Sequence, residues 1–183
     1  MRKYIYLQLV AVVLFIFTGC SHRVSQLEKP INITNFSSIP VNFEVIRTGR
    51  PHIIVDVNEQ VKKTLSNYPY LNYDISSEKV LKITFDERQE NMGGAMFGAL
   101  LTGFSLYLIP SKATTDVDIT ITLGDISTKY TGQMVFSQGI FGDAIVSSEY
   151  KKYSDENKEN MIGDLLHNAF DKFVQEYNNR LKN

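Results

Sequence analysis

"DVDITITLGDISTKYTGQMVF", residues 116–136, carries the clearest local signal in the chain. Val117, Ile119, Ile121 and Leu123 alternate with Asp118, Thr120 and Thr122. Successive strand side chains point to opposite faces, so the apolar four share one face and the polar three the other. That spacing predicts a half-buried strand over 116–123. Gly124-Asp125 is a turn signal, and residues 126–136 follow as the hairpin partner. A connection this short suits antiparallel neighbours.

The same alternation recurs upstream. In residues 80–86, Leu81, Ile83 and Phe85 oppose Lys82, Thr84 and Asp86; in residues 41–47, Val41, Phe43 and Val45 share a face. Residues 53–55 form a short β-branched run. Asp56 then offers an N-cap with Glu59 three residues on, a capping-box pattern. Val57, Val61 and Leu65 recur every fourth residue, and Pro69 stops the run, which predicts a helix over 57–67.

Toward the C-terminus Ser154 is placed to cap a second helix, with Asp155 and Glu156 at the positive end of its dipole. Ile162, Leu165, Leu166, Ala169, Phe170, Phe173, Val174 and Tyr177 form a stripe too broad for a coiled-coil seam, so it is expected to pack on a core. The fold class expected is α+β: an antiparallel sheet with about two helices packed on one face, preceded by a signal peptide and a flexible tether.

The N-terminus has a different character. Arg2 and Lys3 precede a run from Tyr4 to Phe17 in which only Gln8 is clearly polar, and the small residues Thr18 and Gly19 lead to Cys20, the one cysteine of the chain. A basic start, an apolar middle and a small-residue exit are the parts of a secretory signal peptide, and the apolar part is short for a bilayer span. Phe17-Thr18-Gly19-Cys20 resembles the lipobox of bacterial lipoproteins, with Phe17 where Leu is usual. The resemblance implies cleavage before Cys20 and diacylglycerol on its sulfur, with acylation of the new amino group. Residues 1–19 are then signal peptide, 20–40 a lipid-anchored tether and 41–183 the periplasmic domain. Within the tether, 31–36 is a candidate edge strand. Ser21 follows the cysteine where Asp would imply inner-membrane retention. The resemblance therefore implies the periplasmic face of the outer membrane in a Gram-negative source.

Cleavage removes two positive charges and takes the formal net charge from −1 to −3. A slightly acidic domain with no basic stripe is not a nucleic-acid binder by composition. With its one thiol acylated, the domain has no disulfide to rely on and depends on its core.

Chemical signatures are sparse. HExxH, GxSxG, Walker and dinucleotide signatures are absent from the sequence. No catalytic, metal or cofactor residues are assigned, and no cofactor is expected. Three weaker constellations stand out. His167 has Asp164 and Asp171 at helical spacing, which reads as a solvated face with weak ion pairs. The charged run 86–90 reads as a solvated strand exit. Asp116 and Asp118 share a strand face about 7 Å apart, a spacing that a cation or acid–base chemistry can use.

"NMGGAMFGALLTGFSLYLIPS", residues 91–111, has no charged residue and four glycines. A transmembrane span is the alternative reading; the glycines, Ser105, Pro110 and the strand that follows favour a soluble loop or short helix feeding a strand over 105–109. Tyr107 and Ile109 are expected in the sheet core. Met92, Met96, Phe97, Leu100 and Leu101 are the candidate contact surface. "GFSLYLIPSKATTDVDITITL", residues 103–123, loosely resembles small envelope lipoproteins with no assigned activity. The expectation is a non-enzymatic, membrane-anchored domain with an envelope protein partner, acting in envelope assembly, secretion or surface interaction. The alternatives are binding of a small or lipidic ligand in an apolar groove lined by residues 92–109, and an envelope hydrolase.

Overall fold

The structure, a computed structural model, describes residues 20–25, 37–49, 56–90, 98–101, 103, 105, 111–138, 150–153 and 159–182. Its strands are β1 (Cys20–Ser25), β2 (Ile39–Gly49), β3 (Leu71–Tyr73), β4 (Val80–Glu90), β5 (Ser111–Leu123), β6 (Ile126–Gln138) and β7 (Tyr150–Tyr153). Its helices are α1 (Val57–Asn67) and α2 (Glu159–Leu181). The strands form one sheet in the order β3-β2-β4-β5-β6-β1-β7.

The central hairpin is β5–β6, joined by Gly124, whose φ of 58° is the left-handed conformation glycine accepts freely. Register follows burial: Phe85 lies opposite Ile119, which lies opposite Tyr130, and Ile83 lies opposite Ile121. These residues form one continuous core face, completed by Ile39 and Val41 of β2. A one-residue slip would turn every one of them to the other side.

Both helices cover that face. The α1 helix spans the predicted residues, and the Asp56 carboxylate accepts from the N–H groups of Asn58 and Glu59 at 3.0 and 3.3 Å. Val57, Val61 and Leu65 are buried with Ile162, Leu165, Leu166, Ala169, Phe170, Phe173 and Val174 of α2. The stripe on α2 therefore serves the core of its own chain. Where α2 crosses β6, Gly132 lets it come close: a β-carbon there would lie 2.4 Å from Leu165 Cδ2 and 2.9 Å from Tyr130 Cε1.

The sheet is mixed, which corrects the antiparallel expectation. β2 runs parallel to β3 on one side and to β4 on the other. The α1 crossover returns the chain so that β3 and β4 run with β2, the connection parallel neighbours require. Residues 74–79 then pass across β2. Asp74 N–H donates to the Val41 carbonyl at 2.9 Å, and Asn42 N–H donates to the Lys79 carbonyl at 2.9 Å.

Three further corrections concern segments. Cys20–Ser25, expected in the tether, is a strand between β6 and β7. Strand pairing uses backbone groups, so a run with no apolar period can still join a sheet. The charged run 86–90 continues β4 instead of leaving the sheet. Glu87 is buried and paired with Arg47 at 2.5 Å, and Arg88 pairs with Asp118. Ser105 is a turn residue rather than the first of a strand, its N–H donating to the Leu101 carbonyl at 2.9 Å after the helical residues 98–101; the rest of the strand expected over 105–109 lies outside the described residues. Residues 1–19, 31–36, 53–55, 106–110 and 154–156 lie outside the described residues, and with them the signal segment, the 31–36 edge strand, the 53–55 run, the Tyr107 and Ile109 placements and the Ser154 cap.

Candidate functional site

Two regions of the described residues bring chemistry-bearing groups together. The first is the outer face of β4, β5 and β6, opposite the helices. Asp118 lies directly across from Asp86 and Thr131, with Arg88 and Lys129 as its diagonal neighbours. Diagonal neighbours on adjacent strands are within reach of long side chains. Thr131 Oγ1 donates to Asp118 Oδ1 at 2.6 Å, and Lys129 Nζ donates to Oδ2 at 2.8 Å. Arg88 Nη2 donates to the same Oδ2. The carboxylate is only 4% exposed, while Arg88 and Lys129 are more than half exposed. Burial pushes the Asp118 pKa up. The hydrogen bonds from Lys129 and Thr131, with the charges of Lys129 and Arg88, outweigh burial and hold it below the usual carboxylate range.

Asp116, two residues away on the same face, accepts from Gln133 Nε2 at 2.8 Å. The structure therefore does place Asp116 and Asp118 on one face, as the alternation required. It surrounds Asp118 with the protein's own cations, which uses up the charge a bound metal ion would need. Among the described residues no group of three or more His, Cys, Asp or Glu is placed to hold a metal ion.

The second region lies where α1 ends against α2. Tyr68 Oη donates to Asp171 Oδ1 at 2.7 Å, and both residues are buried. Burial, then the hydrogen bond and the negative charge of Asp171, raise the Tyr68 hydroxyl far above the ordinary phenol range. His167 lies edge-on to the Tyr68 ring with centroids 5.1 Å apart, and its Nε2 is 3.9 Å from Asp171 Oδ2. The side chain of His167 is half exposed. The cluster pins two helices together: Tyr68 also packs against Phe170, with ring centroids 5.4 Å apart. Sequence reasoning paired His167 with Asp171 by helical spacing. It missed Tyr68, which is separated from Asp171 by 103 residues.

Cys20, the residue assigned to lipidation, is the first residue of β1 and pairs with Gln138. Of the candidate contact surface, Leu100 is 53% exposed and Leu101 is half-buried, both in the helical stretch. Met92, Met96 and Phe97 lie outside the described residues, as does most of the groove proposed for 92–109. Among the described residues no helix is long and apolar enough to cross a membrane. Compared with known proteins, no family model matches the chain and no curated protein matches it.

Proposed function

We propose that this protein is a lipid-anchored envelope domain that acts through protein contacts. The observation that carries the reading is the Phe17-Thr18-Gly19-Cys20 segment closing a basic-then-apolar N-terminus. Ser21 directs the anchored protein to the periplasmic face of the outer membrane in a Gram-negative cell. Contact rather than catalysis is supported by how the carboxylates are used. Asp118, Asp116, Glu87 and Asp171 are each engaged by a donor from elsewhere in the fold. Such groups hold the fold in shape. Ile46, 41% exposed beside polar residues of β4, is an apolar position on the outer face from which a partner can be probed.

Cells grown with labelled palmitate test the anchor. The wild-type chain should take up label, and Cys20→Ala should lose it and accumulate as precursor; label retained in Cys20→Ala overturns the reading. Ser21→Asp should move the protein to the inner-membrane fraction. For the contact itself, a photo-cross-linking residue at Ile46 should yield a discrete adduct in cells. If it yields none while the fold is intact, the outer face is not the contact surface.

A further inference from the structure

We infer that the sheet end at which Cys20 stands lies directly on the lipid bilayer, with the helical turn at 98–101 as its contact. The inference rests on the lipid-anchor reading and adds an orientation to it. A flexible tether over 20–40 would hold the domain off the membrane by roughly 25 Å, the mean span of about twenty flexible residues. The structure leaves no such spacer: Cys20 is itself paired with Gln138, so the residue that would carry the acyl chains is already in the sheet.

The register shows what else stands at that end. Gln138 pairs with Cys20 on one side and with Ser111 on the other. Adjacent strands are about 4.8 Å apart, so Ser111 is about 10 Å from Cys20. Gly98 abuts Ser111: a β-carbon on it would lie 3.3 Å from Ser111 Cβ. The helical turn that starts there exposes Ala99 and Leu100. The turn itself, Gly98-Ala99-Leu100-Leu101, carries no charged residue. Between Glu90 and Lys112 the chain has no charged residue. The opposite end carries exposed Glu78, Lys79 and Asp125, with Arg180 and Lys182 where α2 finishes. Exposed Lys112 follows Ser111 at the Cys20 end, and a lysine there can keep its ammonium among the headgroups while its stem lies along apolar surface. A helix from a partner protein would also accept an uncharged apolar turn. The acyl chains beside this turn decide for the bilayer, because they insert within about 10 Å of it.

The test uses the full-length protein, expressed and purified with its anchor. Leu100→Cys provides a thiol for an environment-sensitive fluorophore, since the Cys20 sulfur is occupied by diacylglycerol. Asp125→Cys is the control at the far end, and Ala99→Cys is a second position should Leu100→Cys unfold. Each is reconstituted into phosphatidylethanolamine–phosphatidylglycerol vesicles with brominated acyl chains. Intact mass is measured on the same samples. Quenching at position 100 or 99 should exceed that at 125 by at least about threefold, as an apolar surface seated in the interface requires. Acylated protein with equal or negligible quenching at these positions overturns the orientation and leaves the anchor standing. A mass without acyl chains overturns the anchor and the orientation with it.

Discussion

Replacing Gly132 by Ala should loosen the contact between α2 and the sheet. The added methyl would meet Leu165 Cδ2 at 2.4 Å and Tyr130 Cε1 at 2.9 Å. Carbon atoms rest at about 3.5–4.0 Å, so the first contact is short by roughly 1 Å. Neither neighbour gives way easily. Leu165 is fully buried, and the Tyr130 hydroxyl is held by Asn168 Nδ2 at 3.2 Å. Overpacking of this kind costs about 1–3 kcal/mol. Removing a glycine from a strand returns about 0.5–1 kcal/mol, so a net loss of about 1–2 kcal/mol is expected. Leu165→Ala alone should cost about 2–5 kcal/mol by leaving a cavity. In the double variant the new methyl occupies part of that cavity, so the combined loss should fall short of the sum by about 1 kcal/mol or more, as for residues in contact. Urea unfolding of the domain from Cys20 onward, with Cys20→Ser throughout, gives all four corners of the cycle. A neutral or stabilising Gly132→Ala, or strict additivity, would refute the close approach of α2 to β6.

Two further predictions concern the polar clusters. Asp118→Asn should destabilise the domain by about 1–3 kcal/mol at neutral pH, the range for losing hydrogen bonds to a charged group. The Asp118 pKa is depressed on folding, so its contribution is full above about pH 4 and is lost as pH falls through the lower folded value. Acid titration of stability should therefore be flatter in the variant; an unchanged acid limb counts against the network. Tyr68→Phe should cost about 1–3 kcal/mol by leaving buried Asp171 without its donor. The Tyr68 pKa is raised on folding, so the wild type should lose stability as pH climbs past about 10, where the unfolded phenol ionises and the folded one does not. Urea melts at alkaline pH should show this loss reduced in Tyr68→Phe.

The parts of the fold legible in the sequence are those where one residue type repeats at one period. Alternation of Val117, Ile119, Ile121 and Leu123 located β5, and the fourfold spacing of Val57, Val61 and Leu65 with the Asp56 cap located α1. The lost information is of two kinds. β1, β3 and β7 are short, and strands this brief carry too few positions to establish a period. Strand direction is not written in alternation at all. The strand–helix–strand order across residues 39–90 was the available sign of parallel pairing. The clusters divide the same way. Placement of Asp116 and Asp118 on one face follows from period two, but the arrival of Arg88 and Lys129 depends on the register of two other strands. The link between Tyr68 and Asp171 exists only once α1 and α2 lie side by side.

The position of α2 in the chain has a consequence for how the protein is made. Every described strand precedes it, yet it supplies Ile162, Leu165, Leu166, Phe170, Phe173 and Val174 to the common core. Until the ribosome has released those residues, the sheet face they cover is bare and its apolar side chains are in water. A nascent chain in that condition has no closed core, so the fold closes only when its last helix has emerged.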